Sequence, residues 1–186
     1  MKSRFCLYAI GALLAIPGAA AAQGITYDCD TAAGHFSELV LPAGTVPFTA
    51  TGNVRLNAVT TEKTYAAMIS IQISAASAPG QSPKLFAGFS LDALPVDPKK
   101  VPSGMPAVQA LSWRANGTKD EMLPQSLLAK PGTVQPFTLA YDGDKVTVTL
   151  GADTKSFPLK TTEPVVRVSC STGEFLLTDL TIKSAR

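Results

Sequence analysis

His35 is the single histidine of this 186-residue chain. Any Ser-His-Asp or Cys-His arrangement has to use it, with Asp30 and Ser37 as its nearest partners in sequence. No Gly-x-Ser-x-Gly turn accompanies it, and it follows Gly34 in a polar segment, so a solvent-facing loop histidine is expected. A zinc centre needs three or four nitrogen or sulfur ligands, which one histidine and two cysteines destined for pairing do not supply. Carboxylates are the other source of acid–base chemistry, and a glycosidase needs two of them flanking the scissile bond. Asp28 and Asp30 share one strand face but flank Cys29, so they point away from the cysteine and read as a solvated edge. Asp142-Gly143-Asp144 offers three residues of a tight turn, whereas calcium asks for six to eight oxygens. Trp113, Arg114 and Asn116 bring a ring, a guanidinium and an amide together, which is the chemistry that holds a sugar. In the competing and favoured arrangement Trp113 fills the core and leaves Arg114 outside.

β-Structure has to position these groups. The 19 threonines, the 13 valines and the 13 prolines that follow residue 22 are a strand-and-turn composition. Phe137, Leu139 and Tyr141 alternate on one strand face, Asp142-Gly143-Asp144 turns the chain, and Val146, Val148 and Leu150 alternate on the return. Gly151-Ala152-Asp153-Thr154 turns again toward a short third strand with Phe157 and Leu159. A fourth carries Val166, Val168 and Cys170, Ser171-Thr172-Gly173 turns, and a fifth runs from Phe175 to Ile182. Its pairs Phe175/Leu177 and Leu180/Ile182 are out of phase by one residue, which predicts a β-bulge near Thr178-Asp179. The whole reads as an antiparallel meander. Upstream, strands are expected over 25–29, 36–41, 52–59, 65–74, 85–91 and 107–114, with Asn116-Gly117 as a hairpin turn. One or two helical turns are expected over 120–129, and an exposed loop over 95–106, where four prolines fall in twelve residues.

Ten or more short strands in one domain favour two packed antiparallel sheets. The run from Val134 to Ile182 reads Phe-x-Leu-x-Tyr, Asp-Gly-Asp, Val-x-Val-x-Leu, Val-Arg-Val-Ser-Cys and Phe-x-x-x-x-Leu-x-Ile. It resembles the closing strands of concanavalin A-like and laminin-G-like sandwiches. The resemblance implies an all-β jelly roll and carbohydrate or matrix binding, and supplies no site residues. Enzymes of that class alternate acids as Glu-x-Asp-x-x-Glu on one strand, and the five glutamates beyond residue 22 show no such spacing.

Lys2 and Arg4, the apolar run 5–16 and Ala19-Ala20-Ala21-Ala22 form a secretory leader, expected to be cut after Ala22. A single β-sandwich domain is expected over 23–186. It carries 14 basic and 14 acidic side chains once Lys2 and Arg4 are removed, a balance that argues against a nucleic-acid binder. No later stretch approaches the roughly 20 apolar residues of a membrane span. Cys29 and Cys170 are the cysteines left after the leader and are expected to form one disulfide in the periplasm or outside the cell of a bacterium. The expected function is a non-catalytic binding or adhesion module for a glycan or an envelope protein, with Trp113, Arg114 and Asn116 as candidate binding residues. A structural accessory of the envelope is the alternative and a glycoside hydrolase ranks below it. No cofactor and no metal are called for.

Overall fold

The computed structural model describes residues 24–59, 64–78, 80–95, 107–123 and 132–185. The expected leader, most of the proline-rich loop and the latter part of the expected helix lie outside these residues. Ten strands follow in chain order: β1 (Ile25–Pro42), β2 (Phe48–Val59), β3 (Ala67–Ala75), β4 (Phe86–Pro95), β5 (Ala107–Ala115), β6 (Glu121–Met122), β7 (Gln135–Tyr141), β8 (Lys145–Leu150), β9 (Asp153–Pro158) and β10 (Pro164–Ser184). Every pairing is antiparallel. No described residue is helical.

The hydrogen-bonded order β6-β5-β4-β3-β10-β2-β7-β8-β9 passes through β10, with β1 also paired to it. On one edge β10 pairs with β3 over residues 164–171 and with β2 over residues 173–184. On its other edge β1 accompanies it from Val165 to Leu180. Sheet I therefore consists of β6, β5, β4, β3 and the first half of β10. Sheet II consists of β2, β7, β8, β9 and its second half. The inward rows of the two sheets meet as a β-sandwich core. Ile69, Ile71 and Ile73 of β3 and Phe89 and Leu91 of β4 are fully buried, as are Leu139, Val146 and Val148 of sheet II. Phe89 meets Phe137 with ring centroids 5.4 Å apart, and Trp113 meets Phe157 at 6.5 Å.

Three local expectations are corrected here. Ser171-Thr172-Gly173 does not turn the chain; it is a bulge inside one continuous strand, with Thr172 at φ 55°. The fourth expected strand consequently pairs with β1 and β3 and not with β9, so the meander stops after β7–β8–β9. A bulge opposite it, between Thr31 and Phe36, likewise joins the two expected N-terminal strands into β1. The helical turn expected from Asp120 is replaced by β6, because the Leu123 amide donates to the Leu111 carbonyl at 2.7 Å and Leu123 buries against the core. The phase slip in Phe175–Ile182 is the predicted bulge: the register shifts between Thr178 and Thr181, and Asp179 stands at φ 56°.

Cys29 and Cys170 form a disulfide with Cα atoms 6.6 Å apart, linking β1 to β10 beside the bend they share. Such a bond belongs to oxidising compartments. No helix among the described residues is long and apolar enough to cross a membrane. The bond spans 141 residues, a loop worth up to about 5 kcal/mol in the chain-entropy account. Cys29→Ala/Cys170→Ala should therefore lower the thermal unfolding midpoint clearly below that of the oxidised protein. Leu139→Ala should cost about 2–5 kcal/mol and the outward neighbour Thr138→Ala about 0.5 kcal/mol or less, read from urea unfolding.

Candidate functional site

The face of sheet I turned away from the core is polar, which is unusual for strands this deeply covered. In β3 the isoleucines alternate with Met68, Ser70, Gln72 and Ser74, and period-two geometry sends all four outward. Strand register aligns Glu38, Ser169, Ser70, Ser90 and Ser112 across β1, β10, β3, β4 and β5. The adjacent row holds Val40, Arg167, Gln72, Gly88 and Arg114. An open groove of about 400 Å³ lies over the β1–β10–β3 side of these rows. Phe36, Met68 and Phe86 give it apolar walls, and residues 80–83 of the β3–β4 loop close one side. That volume is ordinary for a small-ligand site.

Arg167 anchors the floor. It is 1% exposed, and its guanidinium is shared among three partners. One amino group ion-pairs with Glu38, the other donates to Ser77 Oγ at 2.6 Å, and Nε donates to Ser74 Oγ at 3.4 Å. Ser169 Oγ adds a bond to the same Glu38 oxygen at 3.2 Å. A charge this deeply covered has to be paired, and the pairing fixes two things at once. Glu38 is held against the floor, and through Ser77, which donates to the Gln81 carbonyl at 3.0 Å, the loop wall is held upright. Gly88 occupies the middle of its row because a Cβ there would lie 2.1 Å from the Ile71 carbonyl oxygen and 2.5 Å from Gln72 Cα. With no side chain at that position, Gln72 and Arg114 face each other across open backbone. Phe36 is 67% exposed at the β1 edge of the groove, an aromatic ring held in water.

Beyond Gly88, Arg114 Nε lies 3.4 Å from the Asp120 carboxylate, without a hydrogen bond from that nitrogen. Asp92 is on the same face, and its Oδ2 accepts from Ser90 Oγ at 3.0 Å. Burial holds the Asp92 carboxyl above its ordinary range; the Ser90 hydrogen bond and the Arg114 charge pull it back, and Asp120 adds to the rise.

The residues singled out from the sequence scatter. Arg114 lines the groove. Trp113, its neighbour in the strand, faces the opposite way and is 6% exposed in the core, so its ring is not offered to a ligand. Asn116 is exposed in the turn after β5, its amide N–H bonded to the Phe86 carbonyl. His35 is exposed within the β1 bulge, and Asp28 and Asp30 are exposed on β1. Asp142 Oδ1 accepts from the amides of Asp144 and Lys145 at 3.0 and 2.9 Å, which builds a turn and holds its carboxyl below the ordinary range. No group of three or more metal-ligating side chains occurs among the described residues. Sequence reasoning missed Phe36, Glu38, Ser70, Gln72 and Arg167. The polar positions alternating with isoleucine in β3, and the arginine between Val166 and Val168, were the available signal.

No family model matches the chain, and no curated protein matches it by sequence. Among solved structures, an alginate lyase from Pseudomonas aeruginosa is similar, with a TM-score of 0.54 and 13% identity, over 89% of this chain and 84% of that one. An alginate lyase from Corynebacterium sp. has a TM-score of 0.54 and 12% identity, over 87% and 77%. A galectin from toad ovary, in complex with thio-digalactose, has a TM-score of 0.45 and 8% identity, over 79% and 98%. At these identities the two lyases establish the fold: this chain is an all-β, two-sheet jelly-roll sandwich of the concanavalin A-like kind.

Proposed function

We propose that this protein is a non-catalytic glycan-binding module, exported to the periplasm or outside the cell with removal of its leader, that takes its ligand in the sheet I groove. The observation that supports this most is the built floor. Arg167 is covered and fully paired, and around it Ser70, Gln72, Ser169 and Ser171 line the open space beside the exposed Phe36 ring. A sugar presents hydroxyl edges and apolar C–H faces, and hydroxyl, amide and aromatic groups together match both. Arg114 belongs to this site and Trp113 to the support beneath it.

A protein partner in the cell envelope is the second reading. It is favoured by Ile25, Phe36, Val40 and Tyr65, exposed apolar residues on or beside β1, whose outer edge has no strand partner among the described residues. Hydrolysis has less support. Glu38 is the only carboxylate lining the groove among the described residues, and it is committed to Arg167, whereas glycosidases work with two carboxylates about 5–9.5 Å apart. Burial raises the Asp92 carboxyl, but Asp92 does not line the groove.

Glycan-array screening of the protein from residue 23 onward, followed by calorimetry on the best hit, tests the leading reading. Phe36→Ala and Gln72→Ala should each weaken binding by about tenfold, or about 1.4 kcal/mol, and Trp113→Phe should lower stability while leaving affinity unchanged. Equal binding by all three variants would move the site elsewhere. The pH dependence has a definite sign. Because the folded Asp92 carboxyl holds its proton more tightly than in the unfolded chain, its contribution to stability is full below about pH 4 and is lost as pH rises through its raised value. Asp92→Asn should therefore be more stable than the parent at neutral pH and equal to it near about pH 3, as measured by urea unfolding.

A further inference from the structure

Resting on the glycan reading, the charge inventory of the groove narrows the class of glycan. Among the described lining residues the charged side chains are Glu38, Arg114 and Arg167. The Arg167 guanidinium on the groove floor is covered and spent on Glu38, Ser74 and Ser77. Arg114 stands against the Asp120 carboxylate and also feels Asp92. Two guanidiniums are thus set against three carboxylates, or against two when Asp92 holds its proton, and neither case leaves surplus positive charge. Lys145, Lys155 and Lys160 are each paired with an acidic partner and do not line the groove. A bound carboxylate or sulfate would share Arg114 with the Asp120 carboxylate already beside it and would meet the like charge of Glu38, so the field of the groove does not favour an anion. The uncharged groups are abundant: Ser70, Ser169, Ser171, Gln72, Gln81 and Ser82 line the same space.

We propose that the groove selects an uncharged, hydroxyl-rich polysaccharide segment and discriminates against uronate and sulfated chains. Salt screens exposed charge pairs but leaves hydroxyl and stacking contacts nearly untouched, so salt dependence reports the class directly. Calorimetry or affinity electrophoresis with the chain from residue 23 onward would compare soluble glucan, mannan, xylan and galactan with polygalacturonate, alginate and heparin, at low and high sodium chloride. At least one neutral polymer should bind with an affinity that changes by less than about twofold over the salt range, and the polyanions should bind at least about tenfold more weakly. Asp120→Asn, which releases Arg114, should gain affinity for polygalacturonate, and Asp120→Asn/Arg114→Gln should lose that gain.

Tight polyanion binding by the parent protein, weakening with salt and abolished by Arg114→Gln, would overturn the neutral class and leave the glycan reading standing. Failure of every polysaccharide to bind, with the folded state verified by circular dichroism, would remove the glycan reading and this inference with it.

Discussion

One strand serving two sheets is the constraint on which the rest of this molecule depends. β10 has β1 along one edge, and β3 and then β2 along the other, so both halves of the sandwich are hung from it. Side chains alternate with period two, and strict alternation from Val166, Val168 and Cys170 would carry Glu174 and Leu176 inward where Phe175 and Leu177 now stand. Two bulges re-phase the strand, and the two non-glycine residues with positive φ among the described residues, Thr172 and Asp179, lie at them. Such backbone costs on the order of 1–3 kcal/mol per residue. Complete burial of Phe175, Leu177 and Leu180 offsets that cost, and the strain persists because the flanking ladders hold it.

The same strand supplies the groove. Arg167 is an outward-facing residue covered by its surroundings, and it joins β1 through Glu38, β3 through Ser74 and the β3–β4 loop through Ser77. Removing one member of a buried ion pair characteristically costs about 3–5 kcal/mol, because the other is left uncompensated. The shape of the groove and the integrity of sheet I are therefore coupled, and the serines and Gln72 that line it need no mobile element to position them.

Sheet II was readable from the chain because its signals are local. Phe137, Leu139 and Tyr141, the Asp142-Gly143-Asp144 turn and Val146, Val148 and Leu150 encode a hairpin within sixteen residues, and the slip between Leu177 and Leu180 encodes a bulge. Ser171-Thr172-Gly173 misled for a physical reason: residues that tolerate unusual φ serve bulges and turns alike. The groove was mostly hidden because Glu38, Ser70, Gln72, Arg114 and Arg167 meet only through register between distant strands. One part of it was legible. Core packing of Trp113 was the favoured arrangement because aromatics dominate core energetics, and the strand bears it out: consecutive residues face opposite ways, so Trp113 is buried and Arg114 lines the groove.

β10 also follows every other strand in chain order, and this governs when the molecule can form. As the chain is synthesised, the β3–β4–β5 ribbon and the β2–β7–β8–β9 strands can pair among themselves, while β1 and the junction of the two sheets wait for residues 164–184. Long-range closure of this kind is slow and comes late. A chain whose hub arrives last keeps its two sheets unjoined until the final strand has emerged.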